Sequence, residues 1–125
     1  TKTILNKKDI AAIQNEINKV SISESIEKYI IEIVNATRKP SSVKLNEFED
    51  YISFGASPRA SINLSLASKA NAFLSNRDYV MPDDVKEIAH DVLNHRIILN
   101  YEAEAEGIIP ELIIKNILEK VEINS

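Results

Sequence analysis

Apolar residues recur along this chain at intervals of three and four, the spacing that lines one face of an α-helix. Ile10, Ile13, Ile17 and Val20 predict a first amphipathic helix over 7–20, with Asn6 as its N-cap and Lys7, Lys8, Asp9, Asn15, Glu16 and Lys19 on its other faces. Val20-Ser-Ile-Ser23 is too polar and β-branched to continue it, and Ser23 is placed to cap a second helix whose apolar positions are Ile26, Ile30, Ile33, Val34 and Thr37. That helix is expected to stop near Arg38, because a residue before a proline, here Pro40, is biased away from helical geometry. From Lys39 to Phe54 the period fades. Pro40-Ser41-Ser42 reads as loop, and Leu45, Phe48 and Ile52 fit one side of a short helical turn.

The widest apolar band runs from Ser57 or Pro58 to about Ser75, where Ile62, Leu66, Ala70 and Phe73 recur with Ala67 and Leu74. It predicts the central, most buried helix, with Ala60, Ala67, Ala70 and Ala72 small enough to let neighbours approach closely. Asn76-Arg77-Asp78 then reads as a turn. Pro82, Asp83 and Asp84 open the next helix, with proline at the first position and carboxylates on the favourable dipole end, and Val85, Ile88, Ala89, Val92 and Leu93 form its apolar face. Arg96 to Leu99 suits a small strand paired with Val20 to Ser23. Glu102 to Gly107 reads as an acidic turn, and Pro110 begins a last helix with Ile114, Ile117, Leu118 and Val121 facing inward, before a tail that frays after Ile123. The expected fold is all-α: residues 1–125 as one compact bundle of about five helices, with a minor two-stranded β ribbon.

Composition narrows what such a bundle can do. Only two glycines and four prolines interrupt the chain, which favours helices over a turn-rich β fold. The formal charge is −4, and no run of basic residues is longer than Lys7-Lys8, so no nucleic-acid partner is expected. The absence of cysteine removes disulfides, thiolate zinc sites and cysteine nucleophiles. With no apolar run near the ~20 residues of a membrane helix and no signal-peptide pattern, the expectation is a cytoplasmic chain with no membrane partner.

The chemistry converges on Gly55-Ala56-Ser57-Pro58-Arg59-Ala60. Gly55 supplies a flexible turn, Ser57 is a preferred N-cap, and Pro58 falls at the first helical position, where its missing N–H costs nothing. Arg59 then lies in the first turn, where the macrodipole favours an anion over a guanidinium. Free backbone N–H groups and a forked guanidinium at one helix end make a phosphate contact, since arginine matches phosphate oxygens bidentately. An arginine with its stem on the helix surface and its head in water accounts for the same pattern. Residue chemistry alone leaves both readings open.

Tyr51-Ile-Ser-Phe-Gly-Ala-Ser-Pro-Arg-Ala60, then Arg77-Asp-Tyr-Val-Met-Pro-Asp-Asp-Val85, then His95-Arg-Ile-Ile-Leu99 resemble, in this order, the C-terminal lid of MoxR-type AAA+ ATPases. The resemblance runs from about Ile4 to Gly107, passing through Tyr29 and Ala36-Thr37-Arg38. It implies that Arg59 is the sensor 2 residue, reaching the γ-phosphate of bound ATP with support from Gly55, Ser57 and Pro58. It also implies a phosphate-loop core upstream that holds ATP and Mg2+, neighbouring subunits of a ring oligomer, chaperone-like work and, as in some relatives, a von Willebrand-type partner protein. One departure stands out: the family commonly has threonine before the proline at the next helix start, and here that residue is Met81, which lacks a capping oxygen.

Other candidates weigh less. His90 and His95 lack the neighbouring carboxylates of a metal site, and none is expected. Glu102, Glu104 and Glu106 lack the glycine-centred loop of a calcium site. Ser57 has no adjacent histidine to activate it, and Tyr29, Tyr51, Tyr79 and Tyr101 are scattered, as half-buried packing residues would be. For Arg38, Arg77 and Arg96, spacing does not choose between salt bridges and contacts to a neighbouring subunit. The chain has no Gly-x-x-x-x-Gly-Lys-Ser/Thr loop, and Asp83-Asp84 follows a proline at a helix start instead of ending an apolar strand as a Walker B acid would. Alone, it is expected to bind no cofactor and to hydrolyse no ATP. The expected function is a lid coupling nucleotide state to conformational change; the alternative is a free-standing helical module that binds a partner protein and no nucleotide.

Overall fold

The computed structural model describes residues 7–121, with side chains from Ala11 onward, so the expectations for Asn6, Ile10 and the tail after Ile123 fall outside the described residues. The elements are α1 (Lys7–Asn18), α2 (Glu24–Arg38), a 3-10 turn (Pro40–Val43), α3 (Asn46–Glu49), β1 (Ile52–Phe54), α4 (Arg59–Leu74), α5 (Pro82–Leu93), β2 (Ile98–Leu99), α6 (Tyr101–Ala105) and α7 (Pro110–Lys120). The expected helices are all present; α3 is the short turn expected around Phe48, although Ile52 lies in β1 and not on that turn, and α6 adds a further short helix. Ser23 caps α2 as its sequence position requires: its hydroxyl accepts the Ile26 N–H at 3.2 Å.

The core is built from α2, α4, α5 and α7. Ile30, Ile33, Leu64, Val85, Leu93, Ile113, Ile114 and Ile117 are all fully buried in it, each contributing about 1.5–3 kcal/mol relative to an exposed side chain. Within α4 the buried row is Ala60, Leu64, Ser68 and Ala72, not the predicted Ile62, Leu66, Ala70 and Phe73. Apolar residues surround this helix, so periodicity could not choose its inward face. Three of the four buried positions carry small side chains, which suits close packing of α4 on its neighbours, α5 foremost. Ile62 and Leu74 are consequently left 61% and 79% exposed. On α1, Ile13 is also exposed, while Val20 just beyond the helix enters the core.

The strand expected from Arg96 to Leu99 is present as β2, but its partner differs. β2 pairs antiparallel with β1, placing Ile52 opposite Leu99 and Phe54 opposite Ile98. Ser21 is engaged elsewhere, in a parallel bridge to Tyr79: its N–H donates to Asp78 O at 2.8 Å and its carbonyl accepts from Val80 N at 2.9 Å. The acidic segment after Asn100 is a helix, α6, because the Asn100 side chain accepts the Ala103 N–H at 2.9 Å and Gly107 ends the turn at a φ of 75°. Among the described residues no helix is long and apolar enough to cross a membrane.

Candidate functional site

The segment from Gly55 to Arg59 is held against the C-terminal end of α2. Thr37 is fully buried there, its hydroxyl donating to Val34 O at 2.6 Å and accepting the Ala56 N–H at 2.9 Å. Gly55 lies so close to α2 that a Cβ would fall 2.6 Å from both the nitrogen and the Cα of Arg38, and nearer still to the Thr37 carbonyl oxygen. The glycine expected to act as a flexible turn is therefore needed for close approach. Positive φ among the described residues occurs at Lys44, Asn76 and Gly107, and not at Gly55. Thr37→Val, which keeps the shape and removes the hydroxyl, is expected to destabilise the chain by about 1–2 kcal/mol in urea unfolding, because it orphans the Ala56 N–H. Thr37→Ser should recover most of that loss; a valine variant as stable as the parent would show that the hydroxyl does not anchor the segment.

Ser57 is not the N-cap of α4. Pro58 takes that position, with φ −55° and ψ −26°, and no side chain caps the helix. The helix therefore begins one residue later than expected, at Arg59, although the proline ring already holds a near-helical φ, and the first turn closes through backbone bonds, Ala60 N to Ser57 O at 2.9 Å and Ser61 N to Pro58 O at 3.1 Å. The Ser61 hydroxyl adds a bond to Pro58 O at 2.7 Å. Ser57 thus contributes its carbonyl to the helix and leaves its side chain exposed.

Arg59 is the first residue of α4, exposed, and without an ion pair or side-chain hydrogen bond among the described residues. It lines an open cleft with Ser57, Ile62, Asn63 and Arg96. Arg96 arrives from the turn after α5, where its Nε donates to Val92 O at 3.0 Å. No carboxylate lines this cleft. Two guanidiniums, a hydroxyl and an amide are donors that suit an anion with several oxygens, a phosphate above all. The residues present therefore fit the phosphate end of a nucleotide.

Arg77 has the opposite environment. Its Nη1 and Nη2 donate to Asp84 at 2.5 and 2.7 Å, forming a bidentate pair with a carboxylate only 1% exposed. Asn71 Nδ2 and the Met81 N–H donate to the same carboxylate at 2.9 and 2.7 Å. Burial pushes the Asp84 carboxyl up, but Arg77, Met81 and Asn71 together hold it below its ordinary value. Asp84 also answers for Met81: the helix start that lacks a capping side chain has its N–H satisfied from within the first turn of α5. Arg38 donates from Nη2 to Asn35 at 3.0 Å, a local contact on α2.

His90 lines a separate surface cleft with Tyr29, Lys86 and Lys115, away from Arg59. Among the described residues no three histidine or acidic side chains gather as a metal site would require. Of the tyrosines, Tyr29 is buried and Tyr51 half-buried, whereas Tyr101 is 84% exposed.

Residues 46–117 match the family model of the AAA lid domain. The chain belongs to that family. Its relatives place the lid in the MoxR type: it is 38% identical over 120 residues to Chaperone MoxR1 of Mycobacterium tuberculosis, covering 96% of this chain and 32% of the relative. It is 34% identical over 97 residues to Protein MoxR of Paracoccus denitrificans, covering 73% of this chain and 29% of that protein. A crystal structure of a protein designated an ATPase, from Cytophaga hutchinsonii, superposes with a TM-score of 0.94 at 60% identity, covering 99% of the lid and 38% of that chain. The lid thus spans about a third of the length of the proteins it matches. The family match takes in Arg59, Arg77, Asp84 and Arg96 but begins after Thr37, so the anchor of the Gly55 segment lies outside it. Sequence reasoning placed Thr37 among the apolar positions of α2; its hydroxyl, at the last buried position before Pro40, was the available signal.

Proposed function

We propose that this lid works within a MoxR-type AAA+ ATPase, where Arg59 acts as the sensor 2 residue and donates to the terminal phosphate of ATP bound by the core. The observation that carries the reading is an exposed arginine at the start of α4, unpaired among the described residues, in a cleft without carboxylates, on a segment braced by Thr37 and Gly55. An arginine held for structure resembles Arg77, locked on a buried acid; Arg59 is presented outward. ATP supplies the phosphoryl group transferred to water, and the core holds its Mg2+. The lid's own part is positional. Thr37 and Gly55 fix where α4 begins, α4 fixes where the guanidinium stands, and losing the phosphate contact after hydrolysis frees the lid to shift.

A second feature supports docking on a core. The ribbon that sets Phe54 opposite Ile98 leaves these side chains 68% and 56% exposed. Arg96, two residues before Ile98, lines the Arg59 cleft, so apolar ground adjoins the cationic site. The lid can move a ring neighbour only as far as its contacts bind differently in the ATP and ADP states. Work on protein clients in the cytoplasm, as the name of the mycobacterial relative suggests, follows from the same reading.

In the full-length ATPase, Arg59→Ala should lower ATP turnover at least about 10-fold, the scale of removing one preorganised charge from a transferring phosphoryl group. Turnover equal to the parent would remove the sensor role. Arg59→Lys should recover only part of the loss, because an ammonium cannot donate bidentately.

A further inference from the structure

We propose that Arg96 is a second phosphate-contacting residue, sharing with Arg59 the terminal phosphate of the bound nucleotide. The proposal rests on the sensor reading of Arg59 and extends it to Arg96, which lies in the His95-Arg-Ile-Ile-Leu99 motif but has no role implied by the resemblance. Arg96 comes from a different element, the turn between α5 and β2, yet lines the same cleft as Arg59. Two like charges facing one cleft repel, and no acidic side chain lines the cleft to offset them. The other described arginines are engaged on their own: Arg77 with Asp84 and Arg38 with the Asn35 amide, whereas Arg59 and Arg96 share one cleft. An anion with several oxygens removes the repulsion and satisfies both forks, whereas ADP, which lacks the outermost phosphate, offers the pair less.

Arg96 is also aimed. Its Nε is engaged by Val92 O at 3.0 Å, on the last turn of α5, which restrains the guanidinium plane and leaves Nη1 and Nη2 without partners among the described residues. Arg59 has no such tether. The geometry therefore divides the work. Arg96 offers a fork tethered on the α5 side, and Arg59 one without a side-chain hydrogen bond among the described residues, at the start of α4. Because α4 and α5 are packed along each other, both forks move as one body when the lid moves.

The test uses the full-length ATPase with Arg96→Gln and Arg96→Ala, each alone and combined with Arg59→Ala. ATP and ADP dissociation constants are measured by calorimetry, and turnover in parallel. Arg96→Gln keeps a donor for Val92 O and removes the charge, so it separates charge from folding; thermal unfolding of both variants checks the fold. The expected result is ATP affinity or kcat/KM lowered about 10-fold, the scale of one charge-assisted bidentate contact, with ADP affinity unchanged. Combined with Arg59→Ala, the loss should be smaller than the product of the single losses, since both forks act on one group. An Arg96→Gln enzyme with parental preference for ATP over ADP overturns the proposal, as does an equal loss for both nucleotides. If Arg59→Ala is inert while Arg96→Gln loses ATP preference, the sensor role of Arg59 fails and the contact by Arg96 stands. If Arg59→Ala is impaired while Arg96→Gln is not, only the present proposal fails.

Discussion

Asp84→Ala is expected to destabilise the chain by about 3 kcal/mol, which for a domain of this size lowers the thermal midpoint by about 12 °C. The carboxylate is 1% exposed and accepts from Arg77 twice, from Asn71 and from the Met81 backbone. Alanine removes every acceptor at once. The Arg77 guanidinium loses its partner, and the Met81 N–H at the start of α5 is orphaned where no capping side chain can replace the lost oxygen. Because Asn71 lies on α4, Arg77 on the turn after it and Asp84 on α5, the loss falls on the packing that sets both arginines of the cleft. Asp84→Asn keeps the size and one oxygen and should cost roughly half as much. Urea unfolding of the alanine variant within about 0.5 kcal/mol of the parent, the range of ordinary surface substitutions, would show that the network is dispensable.

The same carboxylate gives the chain a defined acid response. Its folded-state pKa lies below the ordinary 3.8, so on acidification the unfolded chain takes up this proton first. The stability it contributes is complete above about pH 3.8 and is lost as the pH falls below that value through the folded pKa. Stability measured at successive pH values below 4 should fall more steeply in the parent than in Asp84→Asn, which carries no such proton linkage.

How much of this was legible in the sequence depended on how local each feature is. Helix existence was local. The period from Ile26 to Thr37, the cap at Ser23 and the prolines at 40, 82 and 110 each report on their own turn, and α2, α5 and α7 lie where these signals put them. The inward face of α4 was not local, since its apolar residues surround the helix and only packing against its neighbours, α5 foremost, selects Ala60, Leu64, Ser68 and Ala72. The partner of β2 was not local either: the sequence put Ile52 on a helical turn with Leu45 and Phe48, whereas Ile52–Phe54 forms the partner strand and Ser21 is engaged beside Asp78 and Val80. At the site, a motif located Arg59. What sequence could not supply was contrast, that Arg77 is locked on Asp84 while Arg59 and Arg96 face one cleft without an acid. Charge alone makes these arginines alike; their neighbours, distant in sequence, make them different.

Gly55→Ala should destabilise the chain by about 3 kcal/mol, the upper end of the usual range for overpacking. The added Cβ would meet the backbone of Thr37 and Arg38, not the end of a flexible side chain, so the clash cannot be relieved by a rotamer change. Either the end of α2 or the start of the Gly55 segment must move, and movement of the segment stretches the bond from Ala56 N to the Thr37 hydroxyl. Gly107→Ala is the control. There a Cβ meets nothing within 4 Å, but φ is 75°, so the penalty is conformational and about 1 kcal/mol. Urea unfolding should therefore rank Gly55→Ala well below Gly107→Ala in stability, and the reverse order would mean that the segment has room to retreat. The two variants should also differ in the full-length ATPase at temperatures where both remain folded. Gly107 lies beyond α6, whereas displacing Gly55 moves the start of α4 and with it Arg59, so turnover should fall only in the Gly55 variant, with the guanidinium still present but out of reach.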